Sequence, residues 1–298
     1  MSNIVKTTTP AQTYGAALMR ALKSFGLLRE SWVGMIGFGI IAFWVVVAVL
    51  APLIAPFDPL AIVQPYAKSG AVNVASGKTM WLGADHLGRD ILSRIMYGSR
   101  RVLVLAPLAT FAAYAVGIVM GLLAGYKRGW VDTVLSRISD MILAFPVLVL
   151  YIVIIGIVGA SATNIVLAIV FASGPGVMRI VRGLTLDIRT RDYVAAAQTR
   201  GESATFIMFA EILPNARGPL IVDACLRLGY VIITIGVLGF LGLGLPPPDP
   251  DWGGMINETR HMALVFPHMT VYPCIAISSL ILGFNLLADG LREISLRD

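Results

Sequence analysis

Six long apolar runs decide what this chain can fold into. They cover residues 32–54, 102–125, 138–158, 162–181, 220–245 and 269–287. As a helix rising 1.5 Å per residue, a run of about 20 residues crosses a hydrocarbon core about 30 Å thick. In lipid every backbone N–H and C=O must be satisfied within the segment, so a spanning segment of this kind has to be helical. Composition agrees. Of 298 residues, 57% are hydrophobic and 13% are charged, about half the charge of an ordinary soluble domain. The expected fold class is all-α, a polytopic membrane helix bundle with six transmembrane helices.

Charge distribution orients the bundle. Residues 1–30 are polar and carry Lys6, Arg20, Lys23 and Arg29. The apolar run that follows is too long for a signal-peptide core and lacks a small-residue cleavage site, so it reads as a signal anchor. With the N-terminus inside, 15 Lys and Arg fall on the cytoplasmic side and 7 outside, with Arg227 inside a span. Lys and Arg collect on the cytoplasmic side of membrane proteins, so both termini are expected there. The same rule accounts for the net charge of +6 without invoking nucleic acid. The predicted organisation is a cytoplasmic tail over 1–31, a first transmembrane helix over 32–54 and an extracytoplasmic loop over 55–97. A five-helix core follows over 98–289, with a cytoplasmic loop at about 183–217 and a tail over 290–298.

Local patterns refine this picture. Pro175, in the sequence SGPG at 173–176, is expected to kink or break the fourth span. Ile91, Leu92, Ile95 and Met96 share one helical face, which fits either a short helix lying on the outer membrane surface or a packed loop helix. Gly117, Gly121 and Gly125 repeat every fourth residue, a spacing that lets two helix backbones approach closely. Cys225 and Cys274 read as small buried hydrophobes.

Several chemistries find no support. Ion-coupled carriers use ionisable groups near the bilayer midplane. Here Asp140, Asp223 and Asp289 each have an Arg three or four residues away along the helix, at Arg137, Arg227 and Arg292, and the pairs are expected within two turns of a cytoplasmic end. The SGKT at 76–79 resembles the end of a phosphate-binding loop, but that loop requires Gly at position 72, where Val72 stands. His86, His261 and His268 have no nucleophile beside them. No catalytic, cofactor-binding or metal-ligating residue is assigned, so a translocation pathway of this kind needs an engine on another chain.

The polar stretch DYVAAAQTRGESATFIMFAEILPN, residues 192–215, offers a place to attach one. Ala195, Ala196 and Ala197 favour helix. Gly201 ends or bends it, an amphipathic run through Phe206, Ile207, Phe209, Ala210 and Leu213 resumes it, and Pro214 is expected to stop it. Such a hairpin can be gripped by another protein, or can pack only on its own bundle.

The stretch resembles the cytoplasmic loop of ATP-binding-cassette importer permeases, written E-A-A, three residues, G, nine residues, I-x-L-P. Ala196, Ala197, Gly201, Leu213 and Pro214 match at that spacing. Ala195 stands in place of Glu and Glu211 in place of Ile. LGADHLGRDILSRIMYGSR before the second span, FLGLGLPPPDPDWGGMI after the fifth and GMIGFGIIAFWVVVAVLAPLIAPFDP at the first are similar to segments of the dipeptide, oligopeptide and nickel permeases, in the same order. The chain is identified as a member of that group, and within it resembles the shorter, second permease of each pair.

The resemblance implies a type I importer permease fold and a transport subunit with no ATPase site of its own. It implies a paralogous permease partner, two ATPase subunits that use ATP and magnesium, and an extracytoplasmic binding protein, in a bacterial plasma membrane. Ala195, Ala196, Ala197, Gly201, Glu202, Glu211, Leu213 and Pro214 become candidate ATPase-coupling residues, and 126–137 a lesser contact. Trp252 and Gly253 become candidate binding-protein contacts, against the alternative of a loop merely stiffened by its prolines. The implied cargo is a di- or oligopeptide; nickel, glutathione, an opine or a sugar are alternatives within the class. An ion-coupled carrier and a membrane-anchored scaffold are the alternatives outside it.

Overall fold

Side-chain caps set where the helices begin. The hydroxyl of Ser31 accepts from the Gly34 amide at 3.3 Å and starts α1, Trp32–Ile54. Asp90 accepts from the Ser93 amide at 2.8 Å and starts α2, Ile91–Lys127. Each cap satisfies an amide that the first helical turn leaves without a partner. The computed structural model describes residues 31–73, 75–246 and 248–295. The rest of the expected N-terminal tail and the last three residues of the C-terminal tail lie outside the described residues.

After α2 come α3, Gly129–Leu143, and α4, Val147–Val158. Then come α5, Ala162–Ile188, and α6, Asp192–Thr199. The short α7, Ala204–Phe206, passes through a π-helical turn at Ile207–Ile212 into α8, Leu213–Phe240. The last helices are α9, Trp252–Thr259, and α10, Pro267–Ser295. A short antiparallel pair of two-residue strands, β1 at Ala71–Val72 and β2 at Thr79–Met80, lies in the loop between α1 and α2. Among the described residues, five helices or continuous helical segments are long and apolar enough to cross a membrane, and six if the bent α3–α4 pair is one span.

Several expectations are corrected. The Ile91 face does not lie on a surface: Ile91 and Ile95 are buried, and α2 runs on without a break for 37 residues. The run at 138–158 is two helices meeting at 88°. Pro146 caps α4; it has no N–H to give and disfavours helical backbone at Phe145. Pro175 breaks nothing, since α5 continues through it. Asp140 pairs with Arg179 of α5 at 2.5 Å rather than with Arg137. Cys225 is half-buried and Cys274 is exposed: both lie on helix faces that the bundle does not fully cover.

Glycine governs the closest helix contacts. Along the α2–α5 seam, a Cβ on Gly117, Gly121 or Gly125 would lie 2.5 Å, 2.6 Å and 2.6 Å from the Cβ atoms of Val177, Val181 and Thr185. The small-residue repeat thus serves close backbone approach, as its spacing predicts. A Cβ on Gly290 of α10 would lie 2.4 Å from Gly34 Cα of α1, and Ser31 donates to Glu293 Oε2 at 2.9 Å across the same joint. Two apolar clusters fill the bundle. One, around Trp44, Trp252, Ile95, Ile155, Ile232 and Phe284, lies towards the α1–α2 loop. The other, around Leu122, Val181, Ile188, Ala197, Ile207 and Ile212, lies towards α6.

Candidate functional site

The stretch at 192–215 forms a capped hairpin at one end of the bundle. Val194 and Ala197 of α6 are fully buried against Ile188, Ile207, Met208 and Ile212. At its end Glu202 N donates to Ala197 O at 3.2 Å and Gly201 N to Gln198 O at 3.0 Å, with Gly201 at φ +79°. This paired arrangement is a Schellman cap, in which the left-handed residue is normally glycine. Ser203 then accepts from Phe206 N at 3.2 Å and restarts the helix.

Pro214 does not stop that second helix. The π turn donates from Leu213 N to Met208 O, five residues back, and this widening admits a proline near the start of α8 that an unbroken α-helix would resist. Asn215 Nδ2 donates to Glu211 O at 2.6 Å within the same turn. The hairpin is therefore continuous with α8 at one side and joined to α5 by residues 189–191 at the other.

The candidate coupling residues divide by position. Ala195, Ala196 and Gly201 are exposed, and Ala197 is inside. Glu202 and Glu211 converge on Arg200, each with one carboxylate oxygen 3.7 Å from it. Such exposed pairs contribute only tenths of a kcal/mol, but they show that Glu211, which stands in the motif's Ile position, faces the turn rather than the core. Leu213 packs on the apolar cluster and Pro214 is exposed. Tyr193, Phe206 and Phe209 stand out at 40–44% exposure, so the outward surface offers small and aromatic groups together. At the same end, Trp130 beyond the Lys127–Gly129 turn is 77% exposed.

Trp252 and Gly253 are corrected: neither offers surface to a partner. Trp252 is fully buried. Its indole donates to Ile95 O at 3.0 Å and meets the Trp44 ring edge-on at 5.0 Å. Gly98 leaves room for it, since a Cβ there would lie 2.6 Å from the indole. A Cβ on Gly253 would lie 2.1 Å from Gly236 O. At the same end His86 lies with Asp85 and Glu258, their ligand atoms within 4.8 Å of one another. Arg89 already bonds both carboxylates there, so a metal ion would have to displace its guanidinium.

The expected Asp223–Arg227 pair forms, and it has a third member that the sequence does not indicate. Tyr114 donates to Asp223 Oδ2 across the α2–α8 contact, and Arg227 Nε donates to the same oxygen at 2.8 Å. Reading Leu-Pro at 213–214 as a stop placed this pair near a helix end. Because α8 begins at Leu213, Arg227 is instead half-way along it.

The comparisons bear on what such a bundle does. Residues 117–298 match the family described as the binding-protein-dependent transport system inner membrane component. The chain belongs to that family. Residues 25–70 of this permease also match the N-terminal transmembrane domain of oligopeptide transport permease C. It is 39% identical over 253 residues to the glutathione transport system permease protein GsiD of Pectobacterium atrosepticum, covering 85% of this chain and 81% of that one. It is 36% identical over 273 residues to the dipeptide transport system permease protein DppC of Alkalihalophilus pseudofirmus, covering 91% and 88%. The fold is similar to the MetNI methionine transporter in its inward-facing conformations, with a TM-score of 0.55 at 17% identity over 68% of this chain and 96% of that one. The permease is thus a multi-pass inner-membrane subunit of an ATP-binding-cassette importer, a class whose members work with a partner permease, ATPases and a binding protein.

Proposed function

We propose that this permease forms half of a pathway for di- or oligopeptides delivered by an extracytoplasmic binding protein, with a paralogous permease as the other half. Both termini face the cytoplasm, so the α6–α7 hairpin lies on the cytoplasmic side. There it seats in a cleft on one of two ATPase subunits, which use ATP and magnesium; this chain hydrolyses nothing and binds no cofactor. Closure of the ATPases pushes the hairpin and rocks the bundle between inward- and outward-open states.

The observation that carries the reading is the hairpin itself. Its inner face is locked to the apolar cluster by Val194 and Ala197, and its outer face presents Ala195, Ala196 and exposed aromatics. A push on that face reaches α5 and α8 without a flexible link. Peptide as cargo is supported by the relatives named for dipeptide and for glutathione, itself a small peptide.

Gly201→Asp tests the coupling. A side chain at φ +79° costs about 1–2 kcal/mol, yet it meets nothing within 4 Å, so the bundle survives. The variant is expected in the membrane at wild-type amounts while transport is lost. Wild-type transport in vesicles containing all the partner chains would refute the coupling role.

A further inference from the structure

Half-way along the bundle a polar layer separates the two apolar clusters. Towards α6 the apolar packing begins at Tyr114, Val177 and Leu220; towards the other end it begins at Ala109, Ala172 and Val231. Between them a cavity of about 110 Å³ is lined by Thr110, Tyr114, Ser173, Arg227, Tyr230 and Thr234, with Ala113 and Val231. The SGPG sequence at 173–176 shapes it: Ser173 lines it, and the guanidinium nitrogens of Arg227 lie 3.2–3.3 Å from where a Gly176 Cβ would stand.

Three observations distinguish this layer from a simple tie between helices. First, Thr110 is 5% exposed and lines the cavity, but its Oγ1 has no hydrogen-bond partner among the described residues. A buried hydroxyl left in that state costs about 1–3 kcal/mol, which a guest can relieve. Second, Tyr230 lines the cavity and is 68% exposed, so the layer reaches the bundle's flank. Third, charge at the middle of a spanning helix is costly, and such residues face a bundle interior or a water-filled route.

We infer that this layer is a station on the translocation path that takes the charged ends of a zwitterionic peptide. Arg227 receives the terminal carboxylate; Asp223, with Tyr114, receives the terminal ammonium. Empty, the two charges neutralise each other through the 2.8 Å contact. A zwitterion exchanges that half-buried pair for two new ones, so the loaded layer leaves neither charge without a partner; an unpartnered charge is what makes breaking a pair costly. The volume holds about three or four waters, enough for a carboxylate and an ammonium together and not for the rest of a dipeptide. The remainder of the peptide lies beyond Tyr230, where the partner permease closes the path.

The inference rests on the peptide reading above, and the test separates the two. The complete transporter, with its ATPases and binding protein in proteoliposomes, is given labelled alanyl-alanine or its C-terminal amide, each at saturating binding protein. Arg227→Gln should lower dipeptide uptake about tenfold or more, while ATP hydrolysis stays within about twofold of wild type. Arg227→Lys should restore most of the uptake, and the amide should enter the wild-type transporter as poorly as the dipeptide enters Arg227→Gln. Uptake by Arg227→Gln at the wild-type rate overturns the inference, as does a parallel fall in uptake and hydrolysis that Lys does not rescue. If Arg227→Gln does not assemble, Thr110→Val decides, with a severalfold loss of uptake supporting the station and none overturning it. A wild-type complex that hydrolyses ATP but imports no dipeptide refutes the peptide reading itself.

Discussion

Asp251 is a carboxylate that the fold holds in an unfavourable place. Its Oδ2 accepts from Gly254 N at 3.0 Å as the cap of α9. The same oxygen lies 2.1 Å from where a Gly239 Cβ would stand, and only glycine fits beside it. Burial dominates and pushes its carboxyl up to about 6, against the pull of the Gly254 and Gly253 amides and of Arg94. The folded state therefore holds this proton more tightly than the unfolded chain does. The stabilisation from that proton is complete below the ordinary carboxylate range and is lost as pH rises through about 6. Between pH 7 and pH 5 this one group should add about 1 kcal/mol to the wild type. Asp251→Asn keeps the cap and should flatten that slope, read as the unfolding midpoint in detergent at the two pH values. Beside it, Trp252→Ala removes a fully buried ring and should cost about 3–5 kcal/mol, seen as less folded protein, with binding-protein affinity unchanged in what remains. A lowered affinity without loss of stability would return Trp252 to the role of a contact.

At the scale of elements, the seam between α2 and α5 is the tightest constraint. Gly121→Val puts branched atoms where a Cβ already lies 2.6 Å from Val181, whereas Gly39→Ala on α1 meets nothing within 4 Å. The first should abolish accumulation of folded protein and the second should leave it within about 0.5 kcal/mol of wild type, both measured by fluorescence-detected gel filtration. This seam was legible in the sequence, because a glycine every fourth residue clears one helix face for the close approach of a second backbone. The spans were legible for a similar reason, since an apolar run of that length has no other home. The ends of the helices were not. Pro146 bends the chain by 88° at the α3–α4 junction, Pro175 leaves α5 unbroken, and Pro214 sits in a continuous helix. What decides among these is whether neighbouring turns can re-satisfy or widen around the lost hydrogen bond, as the π turn does at Pro214 and as composition cannot reveal. The candidate coupling residues were legible as a motif. The polar layer was not, because Tyr114 is 109 residues from its partner Asp223.

Under the proposed coupling, the whole molecule works as a lever joined to a path. One end carries a small lobe pinned by Lys78, which donates to Pro56 O at 3.0 Å, and by Arg89, which bonds Asp85 and Glu258. The other end carries the hairpin, tied to the bundle by α5 and α8. Between α3 and α5 at that end, Arg182 grips Asp132 through two bonds at 2.5 and 2.7 Å, so the hairpin's support resists shear. The Asp223–Arg227 pair, mid-helix after all, is the kind of group that an ion-coupled carrier would use. Family membership instead makes the chain a permease of an ATP-binding-cassette importer, a class that works with ATPases, and the proposed coupling asks for a hairpin with an exposed, rigidly backed face. The most direct measurement is co-purification of tagged permease from native membranes in mild detergent, wild type against Ala196→Arg, which sets a long charged side chain on the hairpin's outer face and leaves the buried Ala197 alone. An ATPase subunit bound to the wild type and lost from Ala196→Arg, at equal permease levels, is the predicted result. An ATPase retained in full by the variant, or absent from the wild type, would contradict the account.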